Sequence, residues 1–177
     1  MYKNPETKMV LNILSNIKTI QELSIPVRNE TISKKKYVSK TNKIDFIDSS
    51  RIDEIRKILS KKYDLSKLIE FCEELNINFN NKCYLAVPMI CRALLDHVPP
   101  IFNCKNFPEV SNNYLGGTKS FKESMQHLDR SLRNIADAKL HVQIRSSETL
   151  PNKTQVNFSN DLDVLLEEIV RVLKSEK

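Results

Sequence analysis

Tyr84-Leu85-Ala86-Val87-Pro88-Met89-Ile90-Cys91-Arg92-Ala93-Leu94-Leu95-Asp96-His97 is the stretch on which the fold turns. From Tyr84 to Leu95 its apolar residues are interrupted only by Pro88 and Arg92. A membrane span needs about 18 or more apolar residues, so this run is too short to be one. It is also apolar on too many sides to lie on a surface, which makes it the enclosed helix of a bundle. The spacing predicts a helix from about Cys83 to Val98, stopped by Pro99-Pro100 and kinked at Pro88, whose ring opposes the helical ladder.

On the N-terminal side, Asp64 is placed to cap a helix that carries Leu65, Leu68, Ile69, Cys72 and Leu75 on one face, and the asparagine-rich run from Asn76 to Lys82 reads as a connection. Ser50 and Asp53 have the spacing of a capping box ahead of Ile52, Ile55, Ile58 and Leu59. Residues 27–49 are polar and basic, with a short strand suggested near 44–47, and read as a linker. Before it, Asn4-Pro5 opens a helical pattern through Val10, Leu11, Leu14, Ile17 and Leu23 that ends at Pro26.

On the C-terminal side, residues 101–119 read as irregular and contain both glycines, Gly116 and Gly117. Ser120 and Glu123 suggest a second capping box, opening a helix through Phe121, Met125, Leu128, Leu132 and Ile135. Residues 146–157, with Pro151, read as a loop. A closing helix then carries Val164, Leu165, Ile169, Val172 and Leu173 on one face, with Asp161 and Asp163 at its positive end. The expected architecture is all-α: a bundle of about four core helices with an N-terminal helical arm. The arm and linker occupy 1–49 and the bundle 50–177.

Composition agrees with helices. The 177 residues include two glycines, no tryptophan and 7% aromatics, too few turn and strand formers for a β-rich fold. The cysteines Cys72, Cys83, Cys91 and Cys104 form no C-x-x-C pair, so neither a disulfide framework nor a zinc site is expected. The first residues lack the apolar core of a secretory signal. A cytoplasmic protein with no membrane partner, metal or cofactor is the expectation. The charge is unevenly placed: residues 1–62 hold 14 basic and 7 acidic side chains, a net of +7, against 14 and 15 in the remainder, a net of −1. Lys34, Lys35 and Lys36 lie in the basic stretch and are candidates for contacting nucleic-acid phosphates; a solvated connector is the plainer reading of such a run.

Two arginines are followed at short range by a histidine. Arg92 precedes His97 on the apolar helix, and Arg133 precedes His141 in Arg133-Asn134-Ile135-Ala136-Asp137-Ala138-Lys139-Leu140-His141. His127 has no such company. On a regular helix Arg92 and His97 differ by about 140° in azimuth, whereas Arg133 and His141 differ by about 80° but stand about 12 Å apart along the axis. Either pair therefore needs a helix end, or a second protomer, to converge. The plainer reading of Arg92 with Asp96, and of Arg133 with Asp137, is an i,i+4 ion pair, and that of His97 a helix C-terminal cap.

The chain from Asp64 to Leu173 resembles the HEPN superfamily of helical domains, in particular its abortive-infection-like branch. The apolar helix 84–97, the segment 132–141 and the terminal amphipathic helix carry the resemblance. It implies a metal-independent endoribonuclease site built from an Arg-x4–6-His motif at a homodimer interface, in a phage-defence or toxin–antitoxin setting, with RNA as substrate. Arg92 to His97 fits that spacing, whereas Arg133 to His141 is one residue too long but better placed ahead of the last helix. Carried onto this chain, the site is Arg133 and His141 with Asn134 and Asp137 in support, and Arg92 with His97 as the second choice. In such a site a neutral histidine takes the 2′-hydroxyl proton and an arginine stabilises charge on the phosphoryl oxygens. The alternative is a catalytically inactive helical module for dimerisation or docking to a protein partner in a larger defence or regulatory system.

Overall fold

Helix α1, Ser49–Arg56, begins where the Asp48 carboxylate accepts the Ser50 backbone N–H at 2.8 Å. The cap therefore lies two residues ahead of the Ser50–Asp53 box, because an aspartate at that point satisfies an orphan N–H directly. The computed structural model describes residues 45–175. The N-terminal helical pattern and Lys34, Lys35 and Lys36 lie outside the described residues. No strand occurs among those described, and the architecture is the all-α bundle that the sequence implies.

Phe46 and Ile47 are buried, although they belong to the segment expected to be linker. In place of a strand partner they have Asn76, whose side-chain amide accepts the Ile47 N–H and donates to the Ile47 carbonyl, both at 2.8 Å. One side chain thus satisfies both backbone groups of a buried residue, which would otherwise be costly to desolvate.

Helix α2, Ser66–Asn80, has Leu65 rather than Asp64 as its N-cap residue, while Asp64, one residue ahead, accepts the Ser66 N–H at 2.9 Å. It buries Leu68, Cys72, Leu75 and Phe79 at helical spacing. It continues through the asparagines expected to form a connection. Asn78 and Asn80 fold their amides back onto the carbonyls four residues earlier, at 2.8 and 2.9 Å, so they sit on the helix without breaking it.

The apolar stretch forms α3, Ala86–His97. It starts three residues later than expected, after a turn in which the Ala86 and Val87 N–H groups bond the Cys83 carbonyl. Pro88 consequently falls in the first turn, where a missing N–H costs nothing. Val87, Cys91, Leu94 and Leu95 are sealed from solvent. A 3₁₀ turn, Pro99–Phe102, and a short helix α4, Phe107–Asn113, follow. The sequence reading missed α4, which Asn106 caps by accepting the Glu109 N–H at 3.0 Å.

Helix α5, Lys119–His127, passes through one π turn, Leu128–Leu132, into α6, Arg133–Leu140, forming one long rod. Thr118, not Ser120, caps it, with its hydroxyl accepting the Phe121 N–H at 3.2 Å. A Cβ on Gly117 would run into the Phe121 ring and one on Gly116 into Tyr114, so both glycines stand where the chain passes too close to an aromatic for any side chain. The closing helix α7, Ser159–Ser175, buries Leu162, Leu165, Leu166, Ile169, Val170 and Leu173.

Helix α3 packs between α2 and α6, and α7 packs along α5, α1 and the 3₁₀ turn. One continuous apolar core joins all of these elements. Leu94 is 0% exposed and Leu115 is 96% exposed. Leu94→Ala is expected to lower the unfolding free energy by about 2–5 kcal/mol through lost burial and a residual cavity. Leu115→Ala should leave it within about 0.5 kcal/mol. Urea denaturation followed by circular dichroism checks both.

Candidate functional site

The two arginine segments, about forty residues apart in the chain, meet where α3 lies against α6. Arg92 Nη1 donates to Asp96 Oδ1 at 2.6 Å, the i,i+4 pair read from the sequence. The same carboxylate oxygen lies 3.4 Å from Arg133 Nη2 on the neighbouring helix. Arg92 Nε approaches Asp137 of α6 at 3.7 Å, and Arg133 Nε lies 3.2 Å from Asp129 at the π turn. Two guanidinium groups are therefore braced by three carboxylates, with Asp96 shared between them.

The π turn contributes to this arrangement. An extra residue per turn at 128–132 offsets the face of the rod, and Asp129 and Arg133 are brought together against α3. Arg133 Nε and Asp129 Oδ1 are both shut off from solvent, and their contact is an ion pair without hydrogen-bond alignment. In such surroundings each charge depends on the other, since removing one leaves its partner desolvated and uncompensated.

The histidines go elsewhere. His97 turns away from Arg92 and meets the Phe71 ring of α2 edge-on, with centroids 5.8 Å apart. That is the divergence that the helical azimuth implies. Burial, and then the positive charge of Lys67, hold the His97 imidazole below its ordinary pKa. His141 is the C-cap residue of α6; its N–H bonds the Asp137 carbonyl at 3.0 Å and its ring is exposed. Because α6 runs unbroken to Leu140, Arg133 and His141 stand about 12 Å apart along it. Asn134 is exposed on the same helix. Of the sequence-derived residues, Arg92, Arg133 and Asp137 are brought together. His97, His141 and Asn134 are not part of that cluster.

His127 makes the strongest polar contact of the three histidines. Its Nδ1 lies 2.6 Å from Asp161 Oδ2 in the first turn of α7, and its ring packs against Phe158 at 5.3 Å. A carboxylate on Nδ1 orients the imidazole, whose side chain is 52% exposed, and such a pairing is the one used to position a general base. A separation of 34 residues hid this pair from sequence spacing.

A further cluster is structural. Tyr114 donates to Glu168 at 2.7 Å, and Arg171 binds Glu168, the Tyr114 hydroxyl and the Gly116 carbonyl, tying the glycine loop to α7. Burial, followed by the adjacent carboxylate, pushes the Tyr114 phenol up to about 12. Cys72 and Cys91 are sealed in the core, where burial raises both thiols, Cys72 to about 12. Among the described residues no group of three or more metal-ligating side chains converges.

In comparisons with known proteins, no family model, no curated protein and no solved structure matches this chain.

Two outcomes follow from these contacts. Asp129→Asn keeps the shape but strips Arg133 Nε of its counter-ion, and should cost about 1–3 kcal/mol. Asp137→Asn, at a longer and more exposed contact, should cost less than about 1 kcal/mol. Chemical denaturation of both variants measures the difference. For His97 the folded pKa lies below the unfolded one, so its contribution is present above about pH 6.5 and is lost as pH falls through the depressed folded value. Unfolding free energy measured from pH 7 to pH 5 should therefore decline more steeply in the wild type than in His97→Gln.

Proposed function

We propose that this chain is a HEPN-like helical module that engages RNA along its α3/α6 edge and cleaves it without a metal ion. The observation that supports this is the meeting of Arg92 and Arg133 across α3 and α6, which joins two of the three segments that carry the resemblance. In the reaction, a neutral histidine removes the 2′-hydroxyl proton, and the freed oxygen attacks the adjacent phosphorus. The O5′ leaving group takes up a proton, and the products are a 2′,3′-cyclic phosphate and a 5′-hydroxyl. Arginine forks stabilise the charge that gathers on the phosphoryl oxygens. His141, exposed at the end of α6, is the assigned base. Its distance from Arg133 along the rod makes the homodimer, with the histidine of one protomer serving the arginines of the other, part of the proposal.

The electrostatics set a condition. Two arginines against three aspartates leave the cluster at −1, so a phosphate gains the guanidinium groups only by displacing a carboxylate. Asp96, with a side chain 53% exposed and shared by both arginines, is the carboxylate free to leave. The same closed pairing favours a second reading, in which the arginines only lock α3 to α6 and the chain is a non-catalytic interaction module.

Purified full-length protein incubated with total RNA in EDTA separates the two. The first reading expects cleavage that is abolished in His141→Ala and retained in His127→Ala. It also expects Asp96→Asn to bind a single-stranded RNA oligonucleotide several-fold more tightly than wild type, because the carboxylate shared by the two guanidinium groups is neutralised and the cluster rises from −1 to 0, with Asp137 and Asp129 still in place. Loss in His127→Ala alone would transfer the base to the His127–Asp161 pair, and loss in His97→Ala alone would transfer it to α3. Intact RNA at high protein concentration, together with no gain in RNA binding in Asp96→Asn, would leave the interaction module.

A further inference from the structure

Helix α6 does not return directly to the bundle. After Leu140 the chain runs through ten exposed positions, 141–150, before Pro151 is buried again. This excursion is not polar throughout. Ile144 is 96% exposed and Leu150 75%, and Val142 is also exposed. With Leu85, just ahead of α3, they line two adjoining hollows of about 420 Å³ each that share Leu85 and Leu150. Isolated exposed aliphatics are ordinary on a protein surface, but several gathered along one groove mark a contact surface.

The rim is predominantly cationic. Lys82 borders one hollow, and Lys139 and Arg145 border the other. Lys139 Nζ is held by the Thr149 carbonyl at 3.2 Å, a neutral partner that leaves its charge uncompensated. None of the three forms an ion pair with a described residue. Glu148 is the one acidic side chain in either lining, and it is engaged with the Arg145 backbone N–H at 2.9 Å.

We infer that this groove docks an amphipathic segment of a partner protein whose apolar stripe is flanked by aspartate and glutamate. An aliphatic floor fits side chains presented at helical spacing, and a cationic rim selects an anionic flank. The same charges disfavour a second copy of the chain placed groove to groove, since its lysines and arginine would face these. Nucleic acid fits the floor poorly. Exposed Leu, Val and Ile offer no ring for base stacking, and Tyr84, the aromatic in the lining, is half-buried and packs edge-on against Phe79. The inference holds whether or not the chain cleaves RNA.

The test is selection of random 16-residue peptides displayed on phage against the immobilised full chain, with counter-selection against the Ile144→Asp/Leu150→Asp variant. Surviving peptides should combine an apolar stripe with net negative charge. A synthetic consensus peptide, measured by fluorescence anisotropy, should lose affinity by about tenfold or more in that variant. Charge reversal at the two exposed rim positions, Lys82→Glu/Arg145→Glu, leaves the aliphatic floor intact and should switch the selected peptides to basic flanks, which keeps the inference open to refutation if the aspartate variant fails to fold. Neutral or basic peptides from the wild type, or none that discriminate, would overturn it. So would a dimer in light scattering that dissociates in Ile144→Asp/Leu150→Asp, or an RNA oligonucleotide whose binding depends on those two side chains.

Discussion

Burial of α3 is the constraint on which the rest depends. A twelve-residue helix with Val87, Cys91, Leu94 and Leu95 sealed from water needs cover on opposite sides, which α2 and α6 supply. Each of those side chains is worth roughly 1.5–3 kcal/mol when removed from water, so the helix cannot slide or turn without a large loss. Its two charged residues, Arg92 and Asp96, consequently emerge at one fixed place along the α6 contact. The cross-helix ion pairs are thus a consequence of apolar packing. They add register more than energy, because half-exposed pairs contribute little on their own.

The same packing explains why the rod of α5 and α6 contains a π turn. Phe121, Met125, Leu128 and Leu132 are all buried, with Leu128 and Leu132 inside the π turn itself. A strict α-helix advances 100° per residue, and one wide turn lets the buried stripe follow both α7, against the first half, and α3, against the second. Asp129 is carried inward by that turn. The most enclosed ion pair of the site therefore exists because the rod has two partners.

Much of this was legible in the sequence, and the parts that were not share a physical character. Helices α2, α3, α5–α6 and α7 announced themselves because a long amphipathic period leaves a strong pattern. The seven-residue α4 did not, since about two turns of Phe, Pro, Glu, Val, Ser and Asn carry no period to read. Caps were displaced by two residues at α1 and at α5, where Asp48 and Thr118 do the work assigned to Ser50 and Ser120. The asparagines of α2 read as a connection because their side chains compete with helix locally. Here they bond carbonyls within the helix or serve Ile47 across the core, which depends on tertiary contacts that no local pattern carries. At the candidate site, the pairing of Arg92 with Asp96 was visible as an i,i+4 spacing. The bridge to Arg133, and the contact of His127 with Asp161, span 37 and 34 residues and exist only once the helices are packed.

Charge shows the same transformation from sequence to surface. Residues 63–177 sum to −1, which by itself suggests a nearly neutral stretch with nothing to attract an anion. In the fold, carboxylates are consumed in pairs: Asp96, Asp129 and Asp137 by two arginines, Asp161 by His127, Asp163 and Glu54 by Arg51, and Glu168 by Arg171. Lys82, Lys139 and Arg145 are left without such partners and stand around one apolar groove. Long-range screening weakens a net charge over roughly 8–10 Å, whereas a local excess beside a low-dielectric floor acts on whatever enters the groove. A stretch that sums to slightly acidic can therefore present a cationic face, and the pairing pattern rather than the sum decides which sign a partner meets.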